Sequence, residues 1–376
     1  MTIVQPYVPQ YRVALFELVS AGLRRHGHEL SIVTGTPDGT QASRADGAMM
    51  SEQRSSTREH SYRLGARHIR SVTTRADLRD ADALVVELAA GSLDTLRALL
   101  PPHRAPVAVW GHVGDYVVPG SRIGRAAKQW QVRTADHVFA YTESGAAQAV
   151  AWGARSDAVS TLNNTVDLTA LSTAVTEVRA VAASVVRREL EAPDRPTFAF
   201  IGGVDSVKRV DILAEALQLL HDQGEQVHVL VAGEGNEDHL LAPAVHRGQV
   251  TMLGRADDDC KARMARISLA LLNPGRVGLI APESFVLGLP IITTTGARHA
   301  PEWDYLEIGV DSDMVAGNGA AFAAAVRRLV REPERTARMQ HAALAKAGMP
   351  SLTAMADTFV QGVVTMLDTR PSTSPH

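Results

Sequence analysis

Short apolar runs alternate with helix-length amphipathic ones from the first residues of this 376-residue chain. "TIVQPYV" precedes "VALFELVSAGLRRHG", whose apolar residues recur at helical spacing, and "HELSIVTG" follows as a strand. "DALVVEL" precedes "SLDTLRALL", "PVAVWGH" precedes a basic helix, "HVFAYT" precedes "SGAAQAVAWG", and "AVSTLNNTVD" ends the series. A helix at about 171–191 and the linker "EAPDRP" separate it from a second series: "TFAFIGG", "VHVLVAGEG", "VTMLGRA", "LALLNPG" and "LPIITT", with helical stretches between. This alternation implies βαβ units, hence parallel sheets covered by helices on both faces. The expected fold class is α/β, with two doubly wound domains. The first spans 1–190 and the second 191–350. A helix over 351–367 can pack back on the first domain, and 368–376 reads as a disordered tail. Residues 38–60, polar and rich in Arg, Ser and Asp, read as a mobile loop.

Length alone argues for two cores rather than one. A net charge of −3 argues against a nucleic-acid binder, which needs a basic face. The single cysteine, Cys260, excludes an internal disulfide and a cysteine-based metal site. No apolar run reaches the length of a membrane helix, and Met1 leads into a strand rather than a signal peptide, so a cytoplasmic setting is expected. Arg122, Arg125, Lys128 and Arg133 leave a peripheral contact with the inner face of the cell membrane open, although a solvated helix face is the simpler reading.

Strand ends in the second half are rich in glycine: Gly202-Gly203, Gly233, Gly235, Gly254, Gly275 and Gly278. Glycine there lets a ligand approach the backbone, and a following helix offers unpaired N–H groups to a phosphate. "NPGRVGLIAPESFVLGLPIITT", residues 273–294, carries this logic furthest. The bend at Gly275–Gly278 would present the N–H groups of Gly278, Leu279 and Ile280 at a helix start, where a diphosphate is welcome. Pro282 suits a first helical turn. Glu283 in that turn can accept both hydroxyls of a ribose, or can merely complement the helix dipole. Asp257-Asp258-Asp259 suggests a metal site but equally a helix start, and the helix start is preferred.

Residues 197–302 resemble the donor domain of glycosyltransferase family 4, retaining enzymes of the GT-B fold that use sugar nucleotides. The likeness is carried by "FIGGVDSVKRVDILAEAL", "VLVAGEGNE", "VTMLGRA", "RVGLIAPESFVLGLPIITT" and "HAPEWDYL". In the first half "ADHVFAYTESGAAQAVAWGARSDAVSTLNNTVD" resembles the family's run ending in Asn-Gly-Val-Asp. The resemblance is specific in the second half and diffuse before about residue 105. It implies a GT-B architecture of two Rossmann-like domains, sheets facing across a cleft that closes on the donor, and no bound metal or other cofactor. Two departures stand out. The family's pair of glutamates is reduced to Glu283, with Gly275 at the first position. Gly203 stands where an arginine is usual beside the lysine, here Lys208, with Arg209 or Arg276 as the replacement cation.

The resemblance assigns catalytic roles to His112, Lys208 and Glu283. Gly203, Lys208, Arg209, Gly233, Gly254, Arg255, Arg276, Gly278, Leu279, Ile280 and Glu283 would bind the donor. Tyr11 and Arg12, after the first strand, are the acceptor-side candidates. The implied activity is transfer of a sugar, with retention, from a nucleoside diphosphate sugar to a glycan, lipid-linked or small-molecule acceptor. Cell-envelope polysaccharide assembly is the expected setting, with natural-product glycosylation the runner-up. The alternatives are a sugar-nucleotide 2-epimerase of the same architecture and a non-catalytic nucleotide-sugar-binding subunit. Base, sugar and oligomeric state are not encoded legibly.

Overall fold

The structure is a computed structural model that describes residues 1–35, 47, 50, 53–55, 60–64, 67–101, 105–114 and 121–368. The chain divides into two compact units. One comprises Met1–Asp167 with the segment from Pro350 onward, and the other comprises Leu168–Met349.

The first unit is built on strands β1 (Thr2–Gln5), β2 (Ser31–Thr34), β3 (Gln53–Ser55), β6 (Leu84–Glu87), β7 (Val107–Gly111), β8 (His137–Ala140) and β9 (Val159–Thr161), while β4 (His60–Leu64) and β5 (Arg67–Ser71) pair antiparallel apart from them. The seven lie in the order β3-β2-β1-β6-β7-β8-β9, and every pair is parallel. Chain order reverses between β1 and β6, which makes their carboxyl ends a switch point, where a crevice opens in doubly wound sheets. Helix Val13–Arg25 buries Leu15, Phe16, Val19 and Leu23, one face at helical spacing, in the same cluster as Met355, Phe359, Val363 and Met366 of the C-terminal helix Leu352–Asp368. Phe359 stacks on Phe139 of β8 at 4.4 Å. Each such buried side chain contributes about 1.5–3 kcal/mol.

The second unit holds β10 (Thr197–Ile201), β11 (His228–Ala232), β12 (Val250–Gly254), β13 (Ser268–Leu272), β14 (Ile291–Thr294) and β15 (Ser312–Val315). They lie in the order β12-β11-β10-β13-β14-β15, all parallel. β10 is buried along its whole length, as a strand with helices on both faces must be. Phe198 and Phe200 enter one core, and Ala199 and Ile201 enter the other. The switch point falls between β10 and β13, so the loops after these two strands are neighbours.

Three expectations need correction. The domain boundary lies at 167/168 rather than 190/191. The single helix expected at 171–191 is two, Thr169–Val178 and Ala183–Glu189, whose Leu171, Val175, Val178 and Val186 are buried in the second unit's core beside Ala262 and Ile267. An apolar stripe of that size has to be covered, and this core covers it. Within 38–60, read as loop, Gln53–Ser55 form β3 by pairing with β2; most of the rest lies outside the described residues, as does 369–376 of the expected tail. β15 was not anticipated. Among the described residues no single helix is long and apolar enough to cross a membrane.

Candidate functional site

In the second unit three of the strand-end glycines, Gly233, Gly235 and Gly275, are demanded by the protein's own backbone. A Cβ on Gly233 would stand 1.8 Å from the Gly202 carbonyl oxygen, and one on Gly235 2.0 Å from that of Val204. Gly275 is as tightly held: its Cβ would lie 2.3 Å from the Lys208 carbonyl carbon and from the Val207 oxygen. The loops after β10, β11 and β13 therefore pack main chain on main chain. That packing is a reason for these glycines independent of any ligand, and it accounts for the missing first glutamate, since no side chain fits at 275. Gly203 and Gly278 have no such constraint. The nearest atoms to their Cβ positions would be side-chain ones, Asp205 Oδ2 at 3.1 Å and Ala300 Cβ at 3.4 Å.

This packing brings Lys208 against the bend 275–278. Its ammonium donates to the Arg276 carbonyl at 2.8 Å, and the Arg276 N–H donates to the Val207 carbonyl at 3.0 Å. Asn273 Nδ2 reaches the same Arg276 oxygen at 3.3 Å. Burial lowers the Lys208 pKa to about 8, Asp205 and Glu283 opposing the shift and Arg276 adding to it. An anion arriving here would restore the charge. The helix Ile280–Leu287 begins directly after the bend and ends at Gly288 in the left-handed conformation, φ 65°. Among the described residues, the N–H groups of Gly278, Leu279 and Ile280 find no acceptor. Three N–H groups without acceptors among the described residues, a helix N-terminus and a lysine are an arrangement that could hold an anion.

Glu283, one turn in, is largely enclosed, and both its oxygens lie 3.2 Å from the Lys261 ammonium. Burial raises its pKa, and Lys261 acts in the opposite direction. Lys261 was not foreseen; its signal was the spacing Asp258-x-x-Lys261, an i,i+3 pair at 3.6 Å. Asp257 caps its helix by accepting from the Cys260 N–H at 2.9 Å, and Asp259 pairs with Arg263, so the three acids are engaged at a helix start. No cluster suited to a metal occurs among the described residues. Of the two cations proposed beside Lys208, Arg209 is turned to Asp211 at 2.9 Å. Arg276 donates to the Arg298 carbonyl and bears on Lys208 electrostatically. Arg255 pairs with Glu234 in the open at 3.5 Å, and Gly254 adopts φ 65° at the end of β12.

A second unforeseen residue is His299, in the stretch "HAPEWDYL". The Val277 N–H donates to its Nδ1 at 3.1 Å, which places the proton on Nε2. The ring stacks on Trp303 at 4.3 Å. Burial, with Lys208 and Arg276 adding to it, lowers its pKa to about 4, so it stays neutral near pH 7. It thus pins the bend without adding charge to it.

In the first unit His112 follows β7, its ring edge-on to Tyr141 at 5.0 Å, and its carbonyl accepts from Lys128 at 3.2 Å. Tyr11 is 40% exposed, but Arg12 is only 6% exposed. Its guanidinium donates to Asn164 Oδ1 at 2.6 Å and lies over the rings of Tyr11, Trp110 and Tyr141. The acceptor-side reading of Arg12 is therefore corrected: a buried cation needs internal partners, and it has them.

Residues 195–332 match the family described as glycosyl transferases group 1, and residues 15–170 match glycosyltransferase family 4. A comparison with curated proteins finds no match. Among solved structures, Anabaena Alr3699/HepE in complex with UDP superimposes with a TM-score of 0.66 at 13% identity, covering 97% of this chain and 98% of that one. The same protein in complex with UDP-glucose gives 0.62 at 14% identity, covering 97% and 99%. A glycosyltransferase from Rickettsia africae gives 0.64 at 13% identity, covering 98% of each. These likenesses concern the fold, and the two family matches carry the activity. The chain belongs to the glycosyltransferases of the GT-B fold, with a family 4 domain in its first unit and a group 1 domain in its second.

Proposed function

We propose that the protein transfers a sugar, with retention, from a uridine diphosphate sugar to an acceptor hydroxyl, in cell-envelope polysaccharide assembly or natural-product glycosylation on the cytoplasmic side of the membrane. The observation that supports this reading is the bend 275–278, where the Lys208 ammonium bonds the Arg276 carbonyl and the N–H groups of Gly278, Leu279 and Ile280 find no acceptor among the described residues. As the bond between the anomeric carbon and the phosphate oxygen breaks, negative charge grows on that oxygen, and preorganised donors are worth most at that moment. The acceptor oxygen forms the new bond on the same face of the sugar, and its proton passes to the departing phosphate, so no protein base is required. Glu283, held by Lys261, accepts ribose hydroxyls. His112 and Tyr11 are the residues whose substitution tests sugar and acceptor recognition. The choice of uridine draws support from HepE, a neighbour in fold described with UDP and UDP-glucose.

Thermal shift with UDP, GDP, dTDP and ADP tests the donor. A ligand at about 100 times its dissociation constant adds roughly 2.7 kcal/mol. UDP is expected to give the largest shift, and release of UDP from UDP-glucose in the presence of acceptor is expected to yield an α-linked product. No shift with any nucleotide would defeat the reading. A β-linked product would defeat retention, and isomerised sugar nucleotide formed without acceptor would mark an epimerase.

A further inference from the structure

The main chain before helix Ile280–Leu287 changes character between Val277 and Gly278. Up to that point every polar group of Arg276 and Val277 has a partner. The Arg276 N–H donates to the Val207 carbonyl at 3.0 Å, and the Arg276 carbonyl accepts from Lys208 at 2.8 Å and Asn273 at 3.3 Å. The Val277 carbonyl accepts from the Ala300 N–H at 2.8 Å, and the Val277 N–H donates to His299 Nδ1 at 3.1 Å. Beyond it the N–H groups of Gly278, Leu279 and Ile280 find no acceptor among the described residues. The imidazole therefore makes the last bond before the free stretch begins.

The ring is held for that bond. It stacks on Trp303 at 4.3 Å with 16° between the planes. The Arg276 side chain donates to the Arg298 carbonyl at 3.1 Å, which ties the preceding residue to the same bend. Nε2 is enclosed and has no partner among the described residues. His228 shows the ordinary way to bury an imidazole, with one nitrogen 3.2 Å from the Gly248 carbonyl and the other 3.1 Å from Thr251 Oγ1. His299 forgoes the second bond, a cost that packing alone does not explain.

Nδ1 can accept only when it carries no proton, so the bond itself requires a neutral ring. A carboxylate in its place would accept more strongly. Its charge, however, would lie near Lys208 and Arg276, which are close enough to act on His299, and would oppose any anion drawn to the free N–H groups. We propose that His299 is a positioning residue: by taking the Val277 N–H with an uncharged nitrogen, it fixes the next three N–H groups for a diphosphate and leaves the Lys208 charge unspent. That the diphosphate belongs to a sugar nucleotide rests on the transferase reading above; the holding of the bend does not.

The test compares the full chain with His299→Leu, His299→Asn and His299→Asp. Asn and Asp share a shape and can both accept from Val277, so they differ in charge alone, whereas Leu cannot accept. Hydrogen exchange over residues 274–281 is expected to quicken about tenfold or more in His299→Leu and to stay near the parent rate in the other two. Affinity for UDP, and for inorganic pyrophosphate as the bare diphosphate, is expected to fall about fivefold or more in His299→Leu. His299→Asn should recover to within about threefold of the parent, and His299→Asp should bind about tenfold more weakly than His299→Asn. A merely structural histidine would give Asn and Asp equal affinities. The proposal is overturned by that result, by unchanged exchange in His299→Leu, by no recovery in His299→Asn, or by a parent protein that binds neither probe. Failure of the donor reading shows separately, as a parent that binds pyrophosphate and not UDP while the order of the variants holds.

Discussion

The tightest constraint in the donor unit is Gly275, and replacing it is the sharpest test of the site's construction. The family's usual acid at this position suggests that Gly275→Glu should improve catalysis, whereas the structure says the reverse. A Cβ at 275 would lie 2.3 Å from two backbone atoms of the Val207–Lys208 turn and 2.4 Å from Lys208 Cα. Carbon atoms rest at about 3.5–4.0 Å, so the turn must move by roughly 1 Å even for alanine. Overpacking of this kind costs about 1–3 kcal/mol. In a unit of this size each kcal/mol lowers the melting temperature by about 2–4 °C, so Gly275→Ala should melt about 2–12 °C below the parent. The turn that moves carries Lys208, whose ammonium is seated on Arg276 O, so UDP affinity should fall in the same variant. Gly275→Glu should lose at least as much of both. Differential scanning fluorimetry and UDP titration measure the two quantities. If Gly275→Ala melted within about 1 °C of the parent and bound UDP unchanged, the close packing of these loops would not be a constraint, and the argument would fail.

Lys208→Met should lower turnover about 10²–10³-fold while the fold persists, as measured in steady-state assays. In the parent protein kcat/KM should decline above about pH 8, where the free ammonium loses its proton. Stability should run the other way. The folded pKa lies below the unfolded value of 10.5, so burial of the charged form costs stability below about 8, and that cost is relieved between the two values. Melting temperatures across this window should show that rise in the parent and not in Lys208→Met. Glu283→Gln should weaken donor binding with little effect at saturation, since a ribose contact changes little in the transition state. Lys261→Met should raise the Glu283 pKa further, so that its donor affinity falls on acidification at a higher pH than in the parent, which titrations at several pH values would show. Asp94→Ala strips the acceptor from two buried N–H groups and two hydroxyls and should cost about 3 kcal/mol or more, read from the melting temperature. Transfer should persist in excess EDTA; activity lost to EDTA and restored by magnesium would contradict catalysis by helix and lysine alone.

The alternation of strands and helices was readable because each element carries its own period. β10 is apolar at every position because both its faces are covered, and helix Val13–Arg25 is apolar at helical spacing because one face is. The bend before the helix was readable for a similar reason: glycines and a proline interrupt the strand and open a helix, and among the described residues the N–H groups of Gly278, Leu279 and Ile280 find no acceptor. Pairings made by tertiary packing were not readable. Lys261 meets Glu283 from a separate helix, and the 167/168 boundary depends on which core receives Leu171 and Val186. Gly275 shows the limit most plainly, because the atoms that exclude a side chain there belong to residues 207 and 208.

Arg12 and Glu87 show how burial and pairing, rather than place in the chain, separate an enclosed charge from one left accessible. Both sit near the carboxyl ends of the first unit's strands, and position alone favours Arg12, which follows the first strand. The short turn Gln10–Arg12 directs its side chain inward, where Trp110, Tyr141 and Asn164 enclose it. A guanidinium with a 2.6 Å hydrogen bond and aromatic faces around it has little left to offer a ligand, and extracting it would expose a cation-sized void in the core. Glu87 ends β6 in a strand otherwise buried, Leu84 to Val86, and it is the first residue of that strand to face the crevice at the switch point. Burial raises its pKa, while Arg70 and Lys128 act in the opposite direction. The fold therefore spends Arg12 on holding its first helix to its sheet and leaves Glu87 half-buried at the crevice.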